Sequence, residues 1–197
     1  MINYDLIKIS DSDIPDFNSD FDFNNYYSIM KVDFKQVKTY FPLLNMTLLP
    51  TKKCKEVFVS GDLIPYEVLQ KCKTEKDIER FSMPIIAIYP SNYPKDEIYV
   101  EDYSKKIDWG IIPHKHRHYN SHPSIKNKRI LCTHHPNGEI NVIDNDHKSV
   151  AILNSAWKLY IQYVEYKKTG KWTLKDLKHG STGAVQLKRA GKYHARD

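Results

Sequence analysis

The sequence predicts an α+β fold, and three observations lead there. Helical periodicity occurs near both ends of the chain, short apolar runs lie between them, and the two kinds of segment are grouped rather than alternating. Grouping argues against βαβ units and for an antiparallel sheet with helices packed on it. The expected architecture is an N-terminal helix, an antiparallel meander of about four strands and a C-terminal helix.

Each element has its own signal. From Tyr26 to Phe41, apolar residues recur at Tyr27, Met30, Phe34, Val37 and Phe41, near the helical period, and Pro42 stops the run. Leu43 to Leu49 and Lys55 to Val59 read as strands, the second leading into an expected turn at Ser60-Gly61-Asp62. Ile64, Val68, Leu69, Cys72 and Ile78 suggest a short helix within Tyr66 to Phe81. Pro84 to Tyr89 fits a buried strand, Pro90 to Pro94 a rigid turn, and Ile98 to Val100 another short strand. Residues 101 to 128 are polar, with Trp109, Pro113 and four histidines, and read as a long loop. Arg129 to Asp144 has apolar runs on either side of Pro136-Asn137-Gly138, which predicts a hairpin. His147 to Thr169 is the clearest helix. Its apolar positions are Val150, Leu153, Trp157, Tyr160, Ile161 and Val164, Lys167 and Lys168 suit the negative end of the helix dipole, and Gly170 suits its C-terminal cap. Trp172 and Leu174 are expected to pack back on the core.

The totals bound the class. With 197 residues, 41% hydrophobic and 27% charged, the chain can form a packed core. No run approaches the roughly 18 to 20 apolar residues of a membrane span, and Met1 to Ile7 lacks the pattern of a secretory signal. Three cysteines, Cys54, Cys72 and Cys132, have no metal-type spacing and make a disulfide scaffold improbable, so a cytoplasmic location is expected. The expected organisation is an acidic arm at 1–25, one domain at 26–178 containing the 101–128 loop, and a basic tail at 179–197. The net charge of +6 is unevenly spread: residues 1–30 carry six Asp and one Lys, whereas residues 167–197 carry nine Lys or Arg and two Asp. Such a tail can attract nucleic acid or an acidic protein face. More often it is simply solvated, and no nucleic-acid motif accompanies it.

Four positions or groups carry possible chemistry. His114, His116 and His118 alternate, with His122 nearby, and on a strand the first three would share one face. Lys115 and Arg117 between them disfavour a cation, so the group reads as a basic loop and no metal or cofactor is assigned. His134 and His135 can act as general bases or merely shape the hairpin. Cys132 beside them is either an activated nucleophile or a buried strand cysteine, and its apolar neighbour Leu131 favours the latter. Cys54 and Cys72 have no such neighbours.

Three segments, in order, resemble the ubiquitin-conjugating enzymes. Val57-Phe-Val-Ser-Gly-Asp-Leu-Ile-Pro-Tyr66 resembles their second strand and the turn after it. Ile85-Ile-Ala-Ile-Tyr-Pro-Ser-Asn-Tyr-Pro94 is similar to the third strand and its I-x-[FY]-P-x-x-Y-P signature. Pro136-Asn-Gly-Glu-Ile-Asn-Val142 is similar to the stretch that carries the family's catalytic cysteine. Farther on, Trp157-Lys-Leu-Tyr160, Thr169-Gly-Lys-Trp172 and Lys178-His-Gly180 resemble the ubiquitin-conjugating-like proteins of type II CBASS antiphage operons. The resemblance covers roughly residues 30 to 180 and implies a ubiquitin-conjugating-like fold. It also implies a protein partner, either a ubiquitin-like modifier or a cGAS-like nucleotidyltransferase.

The family's nucleophile aligns with Asn141, and an amide cannot form a thioester. His135-Pro136-Asn137 matches the family's H-P-N triplet, whose Asn serves the oxyanion, but stands closer to the catalytic position than the family's triplet does. The sequence therefore favours a non-catalytic binding platform. The alternative is a conjugating enzyme with its thiol at Cys132 and His134 or His135 as base. A basic nucleic-acid-binding or nucleotide-binding module ranks last.

Overall fold

Helix α1, Phe23–Tyr40, directs Met30, Asp33 and Val37 inward, three and four residues apart, while Val32 points outward. In the computed structural model, which describes residues 23–50, 55–90, 93, 98–111, 130–131 and 148–173, this helix is followed by a four-stranded sheet. The helix ends where Phe41 N donates to Val37 O at 2.8 Å and Pro42 follows. Lys38 Nζ then donates to Leu44 O at 2.7 Å, tying the helix end to the first strand.

The strands are β1 (Leu44–Pro50), β2 (Lys55–Leu63), β3 (Met83–Tyr89) and β4 (Tyr99–Asp102), ordered β1-β2-β3-β4 and antiparallel throughout. Met46, Val59, Ala87 and Val100 lie in register across the inner face, as do Leu44, Gly61, Ile85 and Asp102. This face meets α1 and the last described helix, α4 (Lys148–Thr169), in one core with Met30, Val37, Ile152, Leu153, Ala156, Leu159, Tyr160 and Tyr163. A second cluster on the other face joins Ile88 and Ile130, both nearly inaccessible, with Phe58, Ile86 and Tyr99. Strand β3 is therefore apolar on both faces, which explains its continuous Ile-Ile-Ala-Ile run.

Two local expectations are corrected. Ser60-Gly61-Asp62 continues β2 instead of turning. Gly61 has φ +136°, and a Cβ there would lie 2.4 Å from the carbonyl oxygen of Leu43. The glycine permits close approach of β1, so the turn-like triplet lies inside a ladder. The single short helix expected within 66–81 is two helices, α2 (Tyr66–Leu69) and α3 (Glu75–Phe81). Thr74 divides them: its side chain accepts from Asp77 N, while the Asp77 carboxylate accepts from Thr74 N, a capping box. Smaller shifts move the start of α1 to Phe23, extend β4 to Asp102 and start α4 at Lys148.

The far end of α3 is held by other elements. Lys106 Nζ donates to Glu79 O and Ser82 O, Tyr160 Oη to Arg80 O, and Trp157 Nε1 to Phe81 O. Carbonyls that a helix end leaves unsatisfied are thus bonded to α4 and to the turn after β4. Buried Asp102 builds that turn by accepting from Ser104 Oγ, Lys106 N and Ile107 N. No helix among the described residues is long and apolar enough to cross a membrane.

Helix α4 stops at Thr169, whose Oγ1 donates to Glu165 O and accepts from Lys171 N. Gly170 follows with φ +67°, and Trp172 folds back so that its ring meets Tyr166 edge-on at 5.7 Å. The two positive-φ glycines should respond differently to alanine. Gly170→Ala meets no atom within 4 Å and should cost about 1 kcal/mol of left-handed strain. Gly61→Ala adds a backbone clash and should cost more than about 3 kcal/mol. Urea unfolding of both variants measures the difference, and equal midpoints would contradict the assigned close approach at Gly61.

Candidate functional site

The tyrosines of Ile-Tyr-Pro-Ser-Asn-Tyr-Pro are structural groups inside the protein. Tyr89 ends β3 fully buried, and its hydroxyl donates to Asp33 Oδ2 of α1 at 2.5 Å. The backbone N–H of Tyr93 returns to Pro90 O at 3.0 Å, closing a turn that brings the Tyr93 ring edge-on to Tyr89, 4.9 Å between centroids. The Tyr93 hydroxyl lies 3.0 Å from Ser149 Oγ in the first turn of α4. Ser149, wholly buried, also hydrogen-bonds the Tyr89 hydroxyl. A polar chain Asp33–Tyr89–Ser149–Tyr93 therefore links α1, β3, the β3–β4 connection and α4, with buried Lys148 beside it in sequence.

Burial first, then the charge of Asp33 and its hydrogen bond, push the Tyr89 hydroxyl well above the ordinary tyrosine range. Tyr89 therefore remains a protonated donor. Sequence reasoning singled out the two tyrosines but missed Asp33, Lys148 and Ser149. One signal was available for Asp33, an acid spaced three after Met30 and four before Val37 on the apolar stripe of α1.

A short edge pair extends the sheet. Glu101 of β4 bridges Ile130 antiparallel, and Leu131 N donates to Val100 O at 2.8 Å. Ile130 belongs to the outer apolar cluster and Leu131 to the main core, so both are firmly seated. Direction matters here. β4 runs from Tyr99, opposite Ile88, to Asp102, opposite Ile85. The chain at 130–131 runs the other way, arriving at the Asp102 end and leaving toward Tyr99 and Tyr89.

The two candidate segments consequently attach at opposite ends of one edge. Residues 112–129, with His114, His116, His118 and His122, join where the chain arrives. Residues 132–147 start where it leaves and end at Lys148–Ser149, within the polar chain. Cys132, His134, His135, Asn137 and Asn141 all lie in the second segment and outside the described residues, as do the four histidines, Cys54 and the basic tail. The structure describes none of those side chains. Among the described residues no group of His, Cys, Asp and Glu is arranged to hold a metal ion. Cys72 is half-buried and its thiol donates to Val68 O at 3.4 Å. Burial, then the charge of Asp77, raise its pKa, the opposite of an activated nucleophile.

Together these features define an α+β protein with an open antiparallel four-stranded sheet, two helices on one face and a buried hydrogen-bonded chain at one end. No protein-family model, curated protein or solved structure gives a significant match to the chain.

The polar chain makes stability depend on alkaline pH. Tyr89 and Tyr160 both titrate above the ordinary tyrosine value, so above about pH 10 the unfolded state loses these protons first. Their contribution is complete below that value and is lost as the pH rises toward the folded pKa values. Tyr89→Phe should cost about 1–3 kcal/mol at neutral pH, because Asp33 loses a buried donor, and should flatten the alkaline fall. Denaturant unfolding between neutral pH and pH 11 tests both expectations, and an unchanged slope would remove Tyr89 as a cause.

Proposed function

We propose that this protein is a ubiquitin-conjugating-like transferase, and that Cys132 is the thiol that accepts the C-terminus of a ubiquitin-like modifier. The observation that carries the reading is the order of parts: a helix, an antiparallel meander whose third strand ends in Tyr89-Pro90, and an edge pair at Ile130–Leu131. This order fits the ubiquitin-conjugating-like fold that the sequence motifs suggest. Cys132 follows Leu131 by one peptide link, about 3.8 Å between Cα atoms. Asn141 stands ten residues beyond Leu131. What favours Cys132 for the chemistry is that a thioester needs a thiol, which the amide of Asn141 lacks.

In the proposed reaction the Cys132 thiolate attacks the activated carbonyl of the modifier's C-terminus, held by a partner as an acyl ester or thioester. The carbon–sulfur bond forms as the partner's leaving group departs. An acceptor amine then attacks this thioester and expels the Cys132 thiolate. His134 or His135 takes the amine proton, and Asn137 offers its amide N–H to the oxyanion, as the matching triplet of the family does. The Thr169-Gly170-Lys171-Trp172 ending, here a helix stop with a returning Trp172, supports kinship with the proteins of antiphage operons, acting in the cytoplasm.

A second reading keeps the fold without the chemistry. Asn141 at the family's nucleophile position favours it, and the protein would then be a platform for a ubiquitin-like protein or a cGAS-like nucleotidyltransferase. Intact-mass measurement of the protein isolated from cells with its partners separates the two. The enzyme predicts a thiol-reducible adduct on Cys132, lost in Cys132→Ala and retained in Asn141→Ala. No adduct together with a co-purifying partner would leave the platform standing.

A further inference from the structure

We propose that β1 is a docking edge for a second copy of this chain, and that two β1 strands pair antiparallel about a dyad at Thr47 to make one continuous sheet. The two edges of the sheet differ. Strand β4 is four residues long, includes Glu101 and Asp102, and is extended by Ile130 and Leu131. Charge, short length and a covering segment are the usual means of keeping a sheet edge from pairing with another chain. Strand β1 has none of them. It is seven residues long, Leu-Asn-Met-Thr-Leu-Leu-Pro, with no charged residue. Among the described residues no strand lies beyond it.

The direction of its backbone groups follows from its first residue. Leu44 N donates to Phe41 O at 3.1 Å, and Leu44 O accepts from Lys38 Nζ at 2.7 Å, so both groups point away from β2. Direction alternates along a strand, and the unbroken register from Leu44↔Gly61 to Pro50↔Lys55 preserves the alternation. Asn45, Thr47 and Leu49 therefore bond β2, whereas Met46, Leu48 and Pro50 turn their backbone groups to the open edge. Both ends of that edge are closed. At Leu44 the two groups are already engaged, and Pro50 has no N–H to give. What remains is the N–H and C=O of Met46 and of Leu48, placed symmetrically about Thr47.

This arrangement is complementary to itself. Met46 set opposite Leu48 of the second copy exchanges both bonds with it, and the symmetric pair does the same. Leu44 then falls opposite Pro50, where neither chain needs a partner. Moving the dyad to Met46 leaves Leu48 facing the engaged Leu44, and moving it to Leu48 orphans the Met46 carbonyl. Thr47 meets Thr47 of the second copy at a pair without hydrogen bonds, with Cα atoms about 4.5 Å apart. The contact is isologous and closes at two chains. It is also small, so association is weak and depends on concentration.

Sedimentation equilibrium of the full chain up to about 0.5 mM should show reversible dimerisation. Thr47→Lys and Thr47→Glu each set like charges opposite one another across the dyad and should raise the dimer Kd by about fivefold or more. An equimolar mixture of the two should return it to within about threefold of wild type, because each Lys then meets a Glu. Mixing would rescue no interface that lies elsewhere on the surface. Cysteine substitution reads the register even where a charged variant is poorly folded. On mild oxidation Thr47→Cys should link two chains through position 47, and Asn45→Cys, which faces Leu49 of the second copy, should not link through position 45, both mapped by peptide mass. A chain that stays monomeric, a dimer indifferent to both charges, or a link through 45 in place of 47 would overturn the proposal. A monomer whose Met46 and Leu48 amides exchange slowly would show the edge filled by the chain's own residues, and would overturn it equally.

Discussion

The bond between Tyr89 and Asp33 is the constraint around which the rest is arranged. An aspartate on the buried stripe of α1 loses its hydration when the helix docks, and an uncompensated carboxylate there would oppose docking by several kcal/mol. The Tyr89 hydroxyl supplies a strong donor at 2.5 Å. It can do so only if β3 ends where it does and α1 lies at one height along the sheet. Apolar packing makes α1 adhere, and the Asp33–Tyr89 bond selects one register for it. Ser149 and Tyr93 then extend the same selection to α4 and to the connection between β3 and β4.

The opposite end of the sheet is fixed by different means. There the side chains of Lys106, Trp157 and Tyr160 converge on the last carbonyls of α3, and Asp102 holds the turn from which Lys106 reaches. Helix α4 is thus pinned near both ends by polar contacts, with an apolar middle at Ile152, Leu153 and Ala156. This division separates a structural end, occupied by α3, from the end where residues 132–147 begin and finish.

Much of the fold was legible in the sequence because burial follows the local period. Met30, Val37 and Phe41 were readable as one stripe, and Pro84 to Tyr89 as a buried strand; the three stripe residues and Ile85, Ala87, Ile88 and Tyr89 are buried as expected. Gly61 misled because Ser-Gly-Asp is a turn composition, and only the approach of Leu43 explains a glycine within a ladder. Helix α4 gave its location but not its face. Val150, Trp157, Ile161 and Val164 are half-buried, whereas Ile152, Ala156, Leu159 and Tyr163 join Leu153 and Tyr160 inside. A helix with apolar residues on most sides has no single stripe for spacing to choose. The candidate site was legible only as residue types. Cys132, His134, His135, Asn137 and Asn141 could be named, but Asp33 and Ser149 each find a tyrosine 56 positions away in the chain. No local pattern encodes a partnership at that distance.

Sequence separation also sets an order of assembly. The β1–β2 pairing joins near neighbours, and β3 follows after two short helices, so this part can form by closing short loops. The contacts of α4 to α3 span 76 and 80 residues. They gain nothing until the sheet exists to receive them. During synthesis the inner face of the meander is therefore covered by α1 alone until α4 leaves the ribosome. The sheet thus depends on a late-arriving helix to complete its apolar cover, and mutational φ-values near zero in α4 with higher ones in β2 and β3 would be the kinetic trace of that delay.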